Sequence, residues 1–163
     1  MAWRPPPGVY RERDLALAQI VVGFSKQLPL LTQAGFRLLQ SLPGDSIDHD
    51  PAALSDLEGL YAQQKDPTKA IQIGLQIIAL QPQSAKAALN LGLVYEQGGI
   101  PVKAEQELNR AIQLDPALKQ AYIELAKLYA NKLEMQDAAT TLDRYLKWQP
   151  QDIMFRLQRA RMN

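Results

Sequence analysis

Residues 85–118 read AKAALNLGLVYEQGGIPVKAEQELNRAIQLDPAL, and this stretch decides the fold. Ala88, Leu91 and Tyr95 stand at three- and four-residue steps, the spacing of one face of a helix. Gly98-Gly99-Ile100-Pro101 then breaks the pattern, and Pro101 suits the first turn of a second helix that carries Ala104 and Leu108. Pro116 follows where that helix must stop. The stretch is one helix-turn-helix unit, and neither helix can bury its apolar stripe alone.

On both sides of this unit the same marks return every 34 residues. Tyr61, Tyr95 and Tyr129 keep that interval, as do Ala70, Ala104 and Ala138, and Pro82, Pro116 and Pro150. Three consecutive copies, 51–84, 85–118 and 119–152, align without insertion or deletion. In the first, Leu54, Leu57 and Tyr61 are followed by Ala70, Ile73, Ile77 and Leu80, with Asp66-Pro67 as cap and first turn between them. Asp50, Ser84 and Asp152 precede helices as good N-caps, and Leu118 is the one that fails. Stacked copies complete one another's core, so stability is roughly a sum of repeat and interface contributions.

Within each copy the seventh position is Leu57, Leu91 or Leu125, the eleventh Tyr, the twentieth Ala and the thirty-second Pro. The eighth is small in Gly92 and Ala126 but Glu in Glu58, and the twenty-fourth is Gly74, Leu108 and Leu142. On these residues 51–152 resembles the tetratricopeptide repeat family, although the family's fourth-position Trp is replaced by Leu54, Ala88 and Tyr122. The resemblance implies an all-α solenoid of three repeats. It further implies a small alanine where helices cross and a tyrosine filling the space between successive pairs.

The ends need separate readings. A Pro-rich tail, 1–13, precedes an apolar helical hairpin over 14–43, which fits the repeat register only as a degenerate copy with Leu31 where the small alanine belongs. Its apolar residues leave three readings open: a cap on the solenoid, a docking surface for a partner, or a segment lying on a membrane through residues 15–42 with Arg11, Arg13, Lys26 and Arg37 flanking it. An acidic linker, 44–50, joins it to the repeats. Residues 153–163 read as a C-terminal capping helix whose Arg156, Arg159 and Arg161 give it a polar outer face, with a grip on phosphate or an acidic peptide as the alternative.

Composition narrows the function. The chain has 163 residues, 47% of them hydrophobic, and a formal net charge of +1, which argues against generic affinity for nucleic acid or anionic lipid. Charge is nevertheless graded: residues 1–43 carry +3, 44–82 carry −4, 83–116 carry −1 and 117–163 carry +3. Such a gradient reads as the ordinary solvated surface of a small solenoid, with orientation of a partner as the functional alternative. The absence of cysteine excludes a disulfide framework, thiolate metal sites and a cysteine nucleophile. No spanning segment or export signal is read, which leaves a cytoplasmic protein, with peripheral membrane contact through the hairpin as the open alternative. His49 between two aspartates lacks the fixed spacing of a metal site, and no nucleophile elbow, phosphate loop or dinucleotide fingerprint occurs. No enzyme activity, cofactor or metal is expected.

What the resemblance implies instead is a concave groove lined by the first helix of each pair, at positions two, five, nine, twelve and thirteen. In the first copy these are Ala52, Ser55, Gly59, Ala62 and Gln63. In the second they are Lys86, Leu89, Leu93, Glu96 and Gln97, with Asn90 beside them, and in the third Gln120, Ile123, Lys127, Ala130 and Asn131. Leu89 and Leu93 lie one turn apart and off the Ala88, Leu91, Tyr95 stripe, so they are expected to be anchors for a helix or extended peptide, the alternative being that the N-terminal hairpin or the Pro-rich tail covers them. Of the residues with which chaperone-binding members of the family hold a C-terminal carboxylate, only Asn90 is present, and Glu124 stands where a cation is needed. The expected function is a non-enzymatic adaptor that binds a protein segment in the groove. The alternative is a membrane-peripheral assembly factor for a multisubunit complex, docked through its N-terminal hairpin. Oligomeric state is not legible.

Overall fold

A computed structural model describes Leu15, Ala16, Gln19, Gly35 and the continuous stretch 50–161. Hairpin 14–43, apart from those four residues, the linker apart from Asp50, and the tail lie outside the described residues, as does the choice among cap, partner dock and membrane contact. Among the described residues the secondary structure is helical: α1 Pro51–Gln63, α2 Pro67–Leu80, α3 Ala85–Gln97, α4 Pro101–Leu114, α5 Lys119–Asn131, α6 Met135–Trp148 and α7 Ile153–Ala160. The fold is an all-α helical-repeat solenoid. By compactness the chain divides into two units, Met1–Leu57 and Glu58–Asn163, so the division passes through α1.

In the first unit the Asp50 carboxylate accepts from the backbone N–H groups of Ala52 and Ala53 at 3.0 and 3.3 Å and starts α1. Ala53, Leu54 and Leu57 are buried there.

In the second unit each helix packs on the next in chain order from α2 to α7, and α3 also meets α5. Local chemistry fixes the ends. Asp66 caps α2 through Lys69 N–H at 3.2 Å, Ser84 caps α3 through Ala87 N–H at 3.2 Å, and Asp152 caps α7 through Phe155 N–H at 3.1 Å. Leu118 gives α5 no side-chain cap, as its side chain dictates. The turn inside each pair passes through a left-handed residue at the fifteenth position: Lys65 at φ 58°, Gly99 at 70° and Leu133 at 63°. Only the second copy supplies the glycine for which that conformation is free of strain.

Ala70, Ala104 and Ala138 are fully buried at the crossings, as are Leu91, Leu108, Leu125 and Leu142. Gly92 shows why the eighth position is small, since a Cβ there would stand 3.0 Å from Leu108. Tyr61 and Tyr95 are buried. Tyr129 is half-buried, and its hydroxyl donates to Glu105 at 2.9 Å. Tyr122, in place of the family's tryptophan, is 1% exposed and donates to the carbonyl of Pro116 at 3.1 Å.

At the C-terminal end, α7 differs from expectation. Phe155, fully buried, anchors it against Tyr145 with ring centroids 4.1 Å apart, and Arg159 binds Asp143 at 2.8 Å. Arg156 and Arg161 are exposed, but so are Ile153, Met154 and Leu157, so the outer face is apolar as well as basic.

Candidate partner-binding groove

The first helices of the pairs position the expected groove residues, and their exposure sorts them. Lys86, Gln97, Gln120, Lys127 and Asn131 are exposed, while Asn90, Leu93, Glu96 and Ile123 are half-buried. Leu89 corrects the expectation: it is only 6% exposed and belongs to the core cluster with Leu91, Tyr122 and Leu125. The reason is that α3 is packed by α2, α4 and α5 together, so its buried surface is wider than one stripe and takes in Ala87, Leu89 and Val94. Leu93 packs against the same cluster at its edge.

Polar groups of the groove are partly committed to one another. Asn131 donates from α5 to Glu96 of α3 at 3.3 Å. Glu124, 8% exposed, accepts from Gln120 and from Lys127, the latter at 3.0 and 3.2 Å. A buried carboxylate satisfied in this way has little left to offer a ligand, and its sign repels an acidic tail. Lys65 and Lys86, by contrast, have no ion-pair partner among the described residues.

An open pocket of about 420 Å³ lies where the turn after α1 meets the end of α3, lined by Ala62, Gln63, Lys65, Pro67 and Gln97. Three of those five residues, Ala62, Gln63 and Gln97, are groove positions. Its walls combine two amides that have no hydrogen-bond partner among the described residues and an ammonium group with the apolar faces of Ala62 and Pro67. That mixture suits the carbonyl and carboxylate oxygens of a peptide.

Glu58 is the functional-looking group that sequence reasoning passed over. It is 2% exposed, its Oε1 is buried without a hydrogen-bond partner, and burial pushes its carboxyl up from the ordinary 4.5 to about 7, with a hydrogen bond from Asn90 offsetting part of the rise. The signal available in the sequence was the departure from a small residue at the eighth position. No group of three or more metal-ligating side chains stands together among the described residues, and no described helix is long and apolar enough to cross a membrane.

No protein-family model and no curated protein matches the sequence. Solved structures do match in shape. The MamA protein superposes with a TM-score of 0.68 at 19% identity, over 88% of this chain and 76% of that one. PilF of Pseudomonas aeruginosa gives 0.64 at 23% identity, over 83% of this chain, which spans 60% of PilF. The first TPR domain of Spaghetti (RPAP3), solved with the HSP90 peptide SRMEEVD, gives 0.59 at 17% identity, over 69% of this chain and 91% of that domain. With the 34-residue spacing of helices, buried alanines and capped turns already in place, these likenesses are of one fold. The chain has the tetratricopeptide-repeat fold.

Proposed function

We propose that the chain is a non-enzymatic adaptor that holds a segment of another protein along the exposed faces of α3 and α5 and the end of α1. The observation that carries this reading is the pocket between the α1–α2 turn and α3, because residues at groove positions line it with amides unbonded among the described residues. Since Glu96 and Glu124 are already bonded within the fold, the polar capacity left free among the described residues includes Gln63, Lys65, Lys86 and Gln97. The segment that fits presents carboxylate or carbonyl oxygens, with a modest apolar side chain for the edge offered by Leu93 and Ile123. Peptide-bound relatives of the same fold, such as the RPAP3 domain, support a peptide in this class of groove. They do not supply its sequence, because Ser55, Gly59, Gln120 and Glu124 replace the side chains that hold a terminal carboxylate.

The test fills the pocket. Gln97→Trp occupies it from the exposed end of α3, and Gln113→Trp, on the exposed face of α4, is the control. Used as full-length baits in extract of the source cells, wild type and Gln113→Trp are expected to retain the same protein and Gln97→Trp to lose it, with equal helicity in all three. Equal retention by Gln97→Trp would remove the pocket from the binding site.

A further inference from the structure

The eighth and twenty-fourth positions of each copy face one another across the helix pair, and their sizes are reversed in the first copy. Gly92 meets Leu108, and by register Ala126 is matched with Leu142, a small residue on the first helix and a large one on the second. Glu58 is matched with Gly74. A Cβ on Gly74 would stand 2.5 Å from Glu58 Oε1 and 2.8 Å from Leu91 Cδ1, so the carboxyl occupies the space that a leucine fills in the other copies. It is therefore a core side chain by position and a titratable one by chemistry.

Its surroundings favour the neutral acid. Gly74 and Leu91 offer no hydrogen bond from their side chains, and Asn90 is the polar neighbour. Asp56 on α1, Lys69 on α2, and Lys86 and Glu96 on α3 are exposed or half-buried. Lys69 is engaged with Asp66 at 3.4 Å and Glu96 with Asn131. No described cation forms an ion pair with the Glu58 carboxyl, whose shift is set by burial and partly offset by Asn90. An ionised carboxylate without a cation in such a place is costly, whereas a neutral acid can both accept from and donate to the Asn90 amide.

We propose that Glu58 makes the junction of α1, α2 and α3 a proton-sensitive contact, closed when the carboxyl is neutral and loosened when it ionises and is drawn toward water. The consequence reaches the groove directly, because Asn90 belongs to its lining and α2 and α3 flank the pocket at Gln97 and Pro67. The device goes beyond the adaptor reading and does not depend on it.

The sign follows from burial. Because the folded-state pKa is raised, the contact's stability is fully present below about 4.5 and is lost as pH rises through about 7. The decisive measurement on the full-length wild type is the carbon NMR shift of the Glu58 carboxyl against pH. A midpoint near 7 is expected, and one near 4.5 would overturn the proposal. Urea unfolding supplies the second arm: the unfolding constant of wild type is expected to rise on the order of 10- to 100-fold between pH 5 and pH 8. Glu58→Gln should flatten that rise. If the amide is not tolerated, the double change Glu58→Ala with Gly74→Leu, which restores the pairing of the other copies, should fold and be equally flat. A pH dependence identical to wild type in either variant would show that another group is responsible.

Discussion

The fifteenth position of the three pairs offers one experiment in three places. Lys65, Gly99 and Leu133 all hold φ between 58° and 70°, a region where a side chain costs roughly 1–2 kcal/mol and glycine nothing. Nothing lies within 4 Å of a Cβ built on Gly99, so Gly99→Ala introduces backbone strain and no clash. The strain is partly offset by the smaller conformational freedom of alanine in the unfolded chain, worth about 0.4–1 kcal/mol, which leaves a net loss of about 1 kcal/mol. Leu133→Gly runs the other way. Leu133 is 81% exposed, so removing its side chain loses little burial, and the relief of strain should yield a gain of up to about 1 kcal/mol. Thermal unfolding followed by far-ultraviolet circular dichroism reads both, at about 2–4 °C per kcal/mol for a chain of this length. A neutral or stabilising Gly99→Ala together with a destabilising Leu133→Gly would show that the turn does not select for a left-handed backbone.

Three further outcomes follow from packing and charge. Ala104→Arg puts an unpaired cation at a fully buried crossing and should cost several kcal/mol, whereas Lys103→Ala beside it, exposed, should cost about 0.5 kcal/mol or less; equal urea midpoints would show the register to be wrong. Phe155→Ala should cost about 3 kcal/mol and release α7 to hydrogen exchange, while Arg156→Ala leaves α7 protected; the reverse order would mean that arginines and not the aromatic anchor hold the cap. Between pH 5 and pH 8 the protein should lose on the order of 2 kcal/mol through Glu58 alone, with stability falling as pH rises, and a stability that climbs with pH over that window would contradict the burial of a neutral acid.

Much of the fold was legible because it repeats. Tyr, Ala and Pro at fixed intervals specify where helices cross and stop, and the caps Asp66, Ser84 and Asp152 are local chemistry that needs no tertiary knowledge. Leu89 was misjudged for the opposite reason. Its burial depends on how many helices surround α3, which no periodicity within α3 records. The same holds along the fifth position, where Leu89 is buried, Ile123 half-buried and Leu157 exposed despite similar chemistry. Glu58 and Gly74 were each visible as departures, but their complementarity joins residues sixteen apart on different helices and emerges only from the crossing. Phe155 was hidden in a short segment whose arginines dominated the reading. The groove residues follow from the resemblance, and the structure adds which of them keep polar atoms unbonded among the described residues: Gln63 and Gln97 at the pocket and Lys86 on the exposed face of α3.

Site-specific photo-crosslinking tests the adaptor reading most directly. A benzophenone side chain placed at Gln97 and, separately, at Gln113 of the full-length protein reports what lies against the pocket and against α4 in extract of the source cells. The expected result is crosslinks from position 97 that map by mass spectrometry to one short segment of one protein, rich in acidic or amide oxygens, with none from position 113. Crosslinks to that protein from position 113 and none from position 97 would place the binding surface on the second helices and contradict the account.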